Sequence, residues 1–127
     1  MSYVDTNILI YLLEGTPKLG RRAAEILTGQ QAAGKKLVSS ALTITEFIAG
    51  SVDKNALKLL MAVTSIAYVD ITKDIASLAG SLQQKHALKI GDALHLATCI
   101  SQKCTVFITN DRKLGVIAAG YATVVSL

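Results

Sequence analysis

Four acidic residues stand where a carboxylate can do chemistry: Asp5, Glu46, Asp92 and Asp111. Asp5 follows the short extended stretch Ser2-Tyr3-Val4 and opens Asp5-Thr6-Asn7, which leads into the apolar run Ile8 to Leu13. Glu46 lies a few residues past Leu37-Val38-Ser39-Ser40. Asp92 sits in the first turn of the most apolar helical stretch, and Asp111 stops the β-branched and aromatic run Thr105-Val106-Phe107-Ile108-Thr109. Each has a plain structural role available. Asp5 is a good helix N-cap, Thr43-x-x-Glu46 matches a capping box, Asp92 complements a helix dipole, and Asn110-Asp111 is turn material. Together they are harder to explain that way. Four of the chain's 9 acids at apolar boundaries would repel one another unless protonated or compensated. A divalent cation is the simplest compensation, and carboxylates without clustered histidine or cysteine favour a hard ion, Mg²⁺ or Mn²⁺, over zinc.

The elements that must carry these acids are legible from periodicity. Strands are expected at 2–4, 37–40, 66–71, 105–109 and 122–126, the fourth being the strongest because it holds β-branched and aromatic residues and no breaker. Helical spacing runs from about Ile8 to Leu13, then Leu19 to Ala33 after the capping pair Thr16-Pro17. Further helices follow at Thr43–Ala49, after Asp53, from Thr72 to about His86, and from Gly91-Asp92 to about Ile100. A short turn or helix holds Leu114, Val116 and Ile117. Alternating strands and helices predict a three-layer α/β/α sandwich around a parallel sheet of about five strands, as a single domain over residues 1–127. In such a sheet every strand points its carboxyl end to one edge, where α/β folds build ligand sites. Asp5, Glu46 and Asp111 then converge there, and Asp92 joins them if its helix starts at that edge.

Composition sets the class. The chain is 51% hydrophobic and 17% charged with a single proline, which excludes a disordered tract. No apolar run approaches the roughly 20 residues of a membrane span, so no membrane role is expected. The start is interrupted by Asp5 and Asn7 and lacks a basic leader, unlike a secretory signal. Cys99 and Cys104, the only cysteines, read as reduced thiols of a cytoplasmic protein, with neither zinc spacing nor a disulfide. The net charge is +4. Without the four boundary acids, 5 acids face 13 Lys and Arg, a remainder of +8. A basic body around an acidic pocket suits a polyanion held near a metal, though an ordinary surface with a mild basic excess has the same count.

Asp5-Thr6-Asn7, Glu46 after a Ser/Thr-rich strand, Gly91-Asp92-Ala93-Leu94-His95-Leu96-Ala97-Thr98, and Thr109-Asn110-Asp111, in that order, resemble the PIN-domain ribonucleases. Among these the likeness is to the small bacterial and archaeal toxins of the VapC type, and it spans the whole chain. The resemblance implies metal-dependent endoribonuclease activity, with Asp5, Glu46, Asp92 and Asp111 as the acidic metal-binding quartet and Asn7 and Thr109 supporting it. It also implies a homodimer and a cognate antitoxin that reaches into the acidic pocket. On this reading Asp5 and Asp92 are the principal ligands. Glu46 orients or deprotonates water, and Asp111 serves a second ion or binds through water.

Other residues are ambiguous. Thr6 and Asn7 are expected to cap the first helix rather than touch substrate. Thr109 either donates to a quartet carboxylate or merely ends its strand. His95 lies one turn after Asp92 on the same helical face, and a packed or supporting histidine is expected over a metal ligand. His86 belongs at a helix C-terminus on the surface. Arg112 and Lys113, directly after Asp111, are the best placed cations for a phosphate backbone, or else a solvated turn. Tyr11, Leu12 and Leu13 are core residues, or an apolar surface for a dimer or an antitoxin helix. An aspartyl-nucleophile hydrolase would want a second Asp where Asn7 stands, and a receiver domain would want a lysine after a late strand. Two alternatives stay open: a non-catalytic RNA-binding or regulatory module acting through a partner, and DNA as the substrate.

Overall fold

The computed structural model describes residues 1–127. Its order is β1 (Ser2–Val4), α1 (Thr6–Glu14), α2 (Pro17–Ala32), β2 (Leu37–Ser40), α3 (Ala41–Gly50), α4 (Ala56–Met61), β3 (Ile66–Val69), α5 (Lys73–His86), α6 (Ile90–Ser101), β4 (Val106–Ile108), α7 (Arg112–Ala118) and β5 (Thr123–Val125). The five strands form one parallel sheet in the order β3-β2-β1-β4-β5. The expected strands are all present; β1 and β2 keep their expected bounds, and β3, β4 and β5 are one to two residues shorter at an end.

Side-chain alternation along each strand divides the core in two. Tyr3, Val38 and Phe107 point to one face and pack with α5, α6 and α7 through Ile75, Leu82, Leu96 and Leu114. Val4, Leu37, Ile66, Val106 and Ile108 point to the other and pack with α1 to α4 through Ile8, Leu27, Phe47 and Leu60. Handedness fixes which helices go where. The chain steps outward from β1 through β2 to β3, then returns past β1 to β4 and β5. Right-handed crossovers in opposite directions must cover opposite faces. The result is the three-layer α/β/α sandwich.

Reversal of direction between β1 and β4 creates a topological switch point, where the loops leaving neighbouring strands part to opposite faces and open a crevice. Asp5 and Thr109 stand at its mouth. The backbone N–H of Asp5 donates to Ile108 O at 2.9 Å, which fixes the two strand ends side by side.

Helix α6 ends in a Schellman motif, with Cys104 N–H donating to Cys99 O and Lys103 N–H to Ile100 O, both at 3.0 Å. The two buried thiols are the apolar contact of that motif. Burial and the thiol of Cys104 keep Cys99 protonated. Lys103 has φ 56°, and Ala87, capping α5, has φ 53°. Side chains with a Cβ are strained in this left-handed region. Lys103→Gly and Ala87→Gly should therefore each stabilise the fold by about 1 kcal/mol, read as a higher urea midpoint.

Candidate active site

Each acid is placed by a strand end or a helix start. Asp5 ends β1 and is the N-cap of α1, accepting from Thr6 N–H at 2.7 Å through Oδ1. Its other oxygen, Oδ2, accepts from the Thr109 hydroxyl at 2.7 Å and from Asn7 Nδ2 at 3.3 Å. The carboxylate is buried, at 5% exposure. Burial raises its pKa, and His95, Thr109 and Thr6 only partly offset this.

Asp111 caps α7, accepting from Leu114 N–H at 3.0 Å, and its own N–H donates to Thr109 Oγ1 at 3.0 Å. Thr109 therefore joins two of the acids, donating to Asp5 while accepting from the Asp111 backbone. This settles its role in favour of donation. Asn7 bonds on both sides of the crevice, through Nδ2 to Asp5 and Thr109 and through Oδ1 from Asn110 N–H at 3.2 Å. Thr109→Val leaves Asp5 Oδ2 and the Asp111 N–H short of a partner. It should cost about 1–3 kcal/mol in urea unfolding, and an unchanged midpoint would show that the bridge is not formed in solution.

Asp92 lies in the first turn of α6 and is half-buried, with no hydrogen bond from the protein. Burial raises its pKa, and the charges of Asp111 and Asp5 raise it further. The three aspartates are thus near enough to feel one another's charge. Glu46 reaches it from α3, which starts at Ala41 with Ser40 as its N-cap. The Thr43-x-x-Glu46 capping box is not used. Thr43 is buried inside the helix, its hydroxyl bonded to Ser39 and Thr6. Glu46 Oε1 accepts from Thr6 Oγ1 at 2.7 Å and sits 2.6 Å from His95 Nε2. The bond from His95 lowers its pKa despite partial burial. Its Oε2 lies where a Cβ on Gly91 would come within 3.4 Å, next in the chain to Asp92.

His95 is buried at 2% exposure. Its Nε2 is also 3.6 Å from Asp5 Oδ1, and its Nδ1 is 2.6 Å from the Tyr3 hydroxyl. Burial disfavours the imidazolium, but the bond to Glu46 and the charges of Asp5, Glu46 and Asp92 outweigh it and raise the pKa.

Spacing did not single out Tyr3, Thr6, Ser39 or Thr43 as site residues, yet they tie Asp5, Glu46 and His95 together. The available signal was the run of Ser and Thr at strand ends. Ser39, Ser40, Thr43 and Thr109 are all buried polar residues, as Thr6 is. Arg112 is exposed at the start of α7. With Asn110, Asp111 and Ser126 it lines a cleft of about 500 Å³ that opens beside Asp111. Lys113 is exposed and lies off that lining. His86 is in the last turn of α5, half-buried, 2.8 Å from the Tyr121 hydroxyl.

No three His, Cys, Asp or Glu side chains are closed around a single point. The side chains as they stand therefore form no ready-made metal cage. Mg²⁺ and Mn²⁺ do not need one, because such ions keep several waters and bind through one or two carboxylates plus substrate phosphate. An unpartnered, half-buried Asp92 among like charges is a donor set that a hard cation would complete.

No helix is long and apolar enough to cross a membrane. The PIN-domain family model matches residues 2–120, and no curated protein matches the chain by sequence. Among solved structures, a chain of the toxin-antitoxin complex from Klebsiella pneumoniae is 30% identical, with TM-score 0.77, covering 98% of this chain and 96% of that one. A chain of VapBC2 from Rickettsia felis, bound to a DNA fragment from its promoter, has TM-score 0.74 at 17% identity, covering 100% and 99%. A chain of FitAcB from Neisseria gonorrhoeae has TM-score 0.65 at 18% identity, covering 98% and 96%. The switch-point crevice with its ordered acids thus sits in a fold shared with chains of toxin-antitoxin complexes, and the protein belongs to the PIN-domain family.

Proposed function

We propose that this protein is a metal-dependent endoribonuclease, the cytoplasmic toxin of a toxin–antitoxin pair. The reading is supported by Asp92, which has no protein partner and whose pKa is raised by burial and by the charges of Asp111 and Asp5, and by Glu46 joined through His95 to Asp5. Asp5 and Asp92 would be the principal holders of Mg²⁺ or Mn²⁺, with Asp111 serving a second ion or binding through water. When bound, such an ion lowers the pKa of water and neutralises charge on the phosphodiester.

The chain's own groups would do the rest. Glu46 is kept ionised by His95 and Thr6, so it can orient the attacking water and accept its proton. Thr109 and Asn7 hold the Asp5 carboxylate in place across the crevice. Arg112, exposed beside Asp111, would hold a neighbouring phosphate. The charge balance supports a polyanionic substrate, since 13 Lys and Arg outnumber 9 Asp and Glu for a net charge of +4.

A cognate antitoxin is proposed as the partner, on the strength of the likeness to a chain of the toxin-antitoxin complex from Klebsiella pneumoniae. A cationic side chain entering the crevice would meet the same charges as the metal. A homodimer is proposed with it.

The test is cleavage of labelled tRNA, rRNA fragments, single-stranded RNA and DNA by purified protein in Mg²⁺, Mn²⁺ or EDTA. RNA cleavage that EDTA abolishes is the expected result. Metal binding with no cleavage of RNA would favour the non-catalytic module, and cleavage of DNA alone would replace the substrate.

A further inference from the structure

Glu46 reaches the crevice on a three-bond side chain that is 40% exposed, so something must hold it still if it is to aim at one water. Two donors meet its Oε1: the hydroxyl of Thr6 at 2.7 Å and the imidazole Nε2 of His95 at 2.6 Å. Threonine is exposed to competing partners, since the same hydroxyl also lies 3.1 Å from Thr43 and 3.3 Å from His95. The histidine has no such freedom. Its ring is edge-on to Tyr3, with centroids 5.8 Å apart, and Tyr3 in turn stacks on Phe107 at 5.2 Å.

The Tyr3 hydroxyl settles which imidazole nitrogen donates. A tyrosine phenol keeps its proton at neutral pH. In neutral His95 the phenol donates to Nδ1, which leaves the proton on Nε2. In charged His95 both nitrogens carry protons and the phenol oxygen accepts. Nε2–H faces Glu46 in either state.

We propose that His95 is a positioning residue: clamped by Tyr3, it donates through Nε2–H to Glu46 Oε1 and so leaves Oε2 over Gly91, beside Asp92, as the working oxygen. Asp5 Oδ1 lies 3.6 Å from the same nitrogen, a charge contact beyond hydrogen-bond distance. The inference rests on the proposed metal-dependent reading, because it assigns Glu46 its aim within that site. It places the control of the quartet in the aromatic core, on the side chains of β1 and α6, rather than in the loops that carry the other acids.

Isotope-labelled histidine NMR on the metal-free protein reads the hydrogen bond directly. His95 should show a protonated Nε2 with a strongly hydrogen-bonded proton, and Tyr3→Phe should shift the Nδ1 signal. Calorimetric titration with Mn²⁺ then compares the wild type with three variants. His95→Leu should weaken Mn²⁺ by about 10–100-fold and lower kcat on RNA similarly, with KM unchanged. His95→Gln, which keeps an N–H donor, should recover most of the loss, and Tyr3→Phe should fall between. A folded His95→Leu that binds Mn²⁺ like the wild type overturns the proposal, as does a His95→Gln no better than His95→Leu. If His95→Leu does not fold, Tyr3→Phe decides, and unchanged Mn²⁺ affinity with an unchanged His95 signal overturns it. Wild-type protein that cleaves no RNA would sink the nuclease reading, while the NMR and Mn²⁺ results would still decide the role of His95.

Discussion

Asp5→Asn should lower RNA cleavage by about 10³-fold or more while leaving the protein folded. The side chain is buried and its charge is disfavoured there, so the neutral amide removes a desolvation cost as well as a ligand. Asn remains a good N-cap for α1. One contact must reverse, because the amide N–H₂ cannot accept from the Thr109 hydroxyl as Oδ2 does. The net change in stability should stay within about 1 kcal/mol, its sign set by which effect is larger. Mn²⁺ titration and circular dichroism on the same sample separate the two effects. A variant that retains both metal affinity and cleavage would remove Asp5 from the site.

A second large effect is the coupling of stability to pH and metal. Asp5 and Asp92 have raised pKa values. Their contribution to stability is present below the ordinary carboxylate range and is lost as pH rises through the raised folded values. His95 is also raised, so its contribution is present below about 6.5 and is lost as pH rises above that. Glu46 is lowered and acts oppositely, adding stability above the ordinary carboxylate range and losing it only in more acidic solution. Three of the four therefore act together. The metal-free protein should have a higher Tm at pH 6 than at pH 8. A cation that binds only the folded form at about 100 times its Kd adds about 2.7 kcal/mol, which raises Tm by about 10 °C for a chain of this size. That rise should be larger at pH 8 than at pH 6, where protons compete for the same carboxylates. Thermal scans in EDTA and in Mn²⁺ at both pH values check it, and a Tm flat in pH and in metal would show that the crevice carries no such charge strain.

The acids were legible in the sequence because they sit where element type changes, and such boundaries follow from periodicity. Asp5 ends a three-residue strand and caps a helix, so both its functions mark the same place. Asp92 was placed by the apolar helix that had to lead into the strongest strand. What spacing could not supply was the partner of each hydroxyl. Thr6 bonds Glu46 forty residues away and Tyr3 bonds His95 ninety-two residues away, pairings that exist only once β1 lies between β2 and β4. The capping-box pattern at Thr43 was a local alternative that lost to tertiary packing, because Ser40 starts the helix a turn earlier and turns Thr43 inward. His95 was read as packed or supporting; it is buried and 2.6 Å from Glu46.

The central place of β1 has a consequence for synthesis. This strand is made well before β4, one of its two neighbours, and the Asp5–Thr109 bond spans 104 residues. Loop closure over that distance gives slow, late pairing. At about 5–20 residues per second the ribosome delivers Thr109 roughly 5–20 s after Asp5. Until then Asp5 has no hydroxyl beside it and Asp111 does not exist. The hydroxyl bridge between Asp5 and Asp111 therefore cannot form until the chain has been made at least to Asp111.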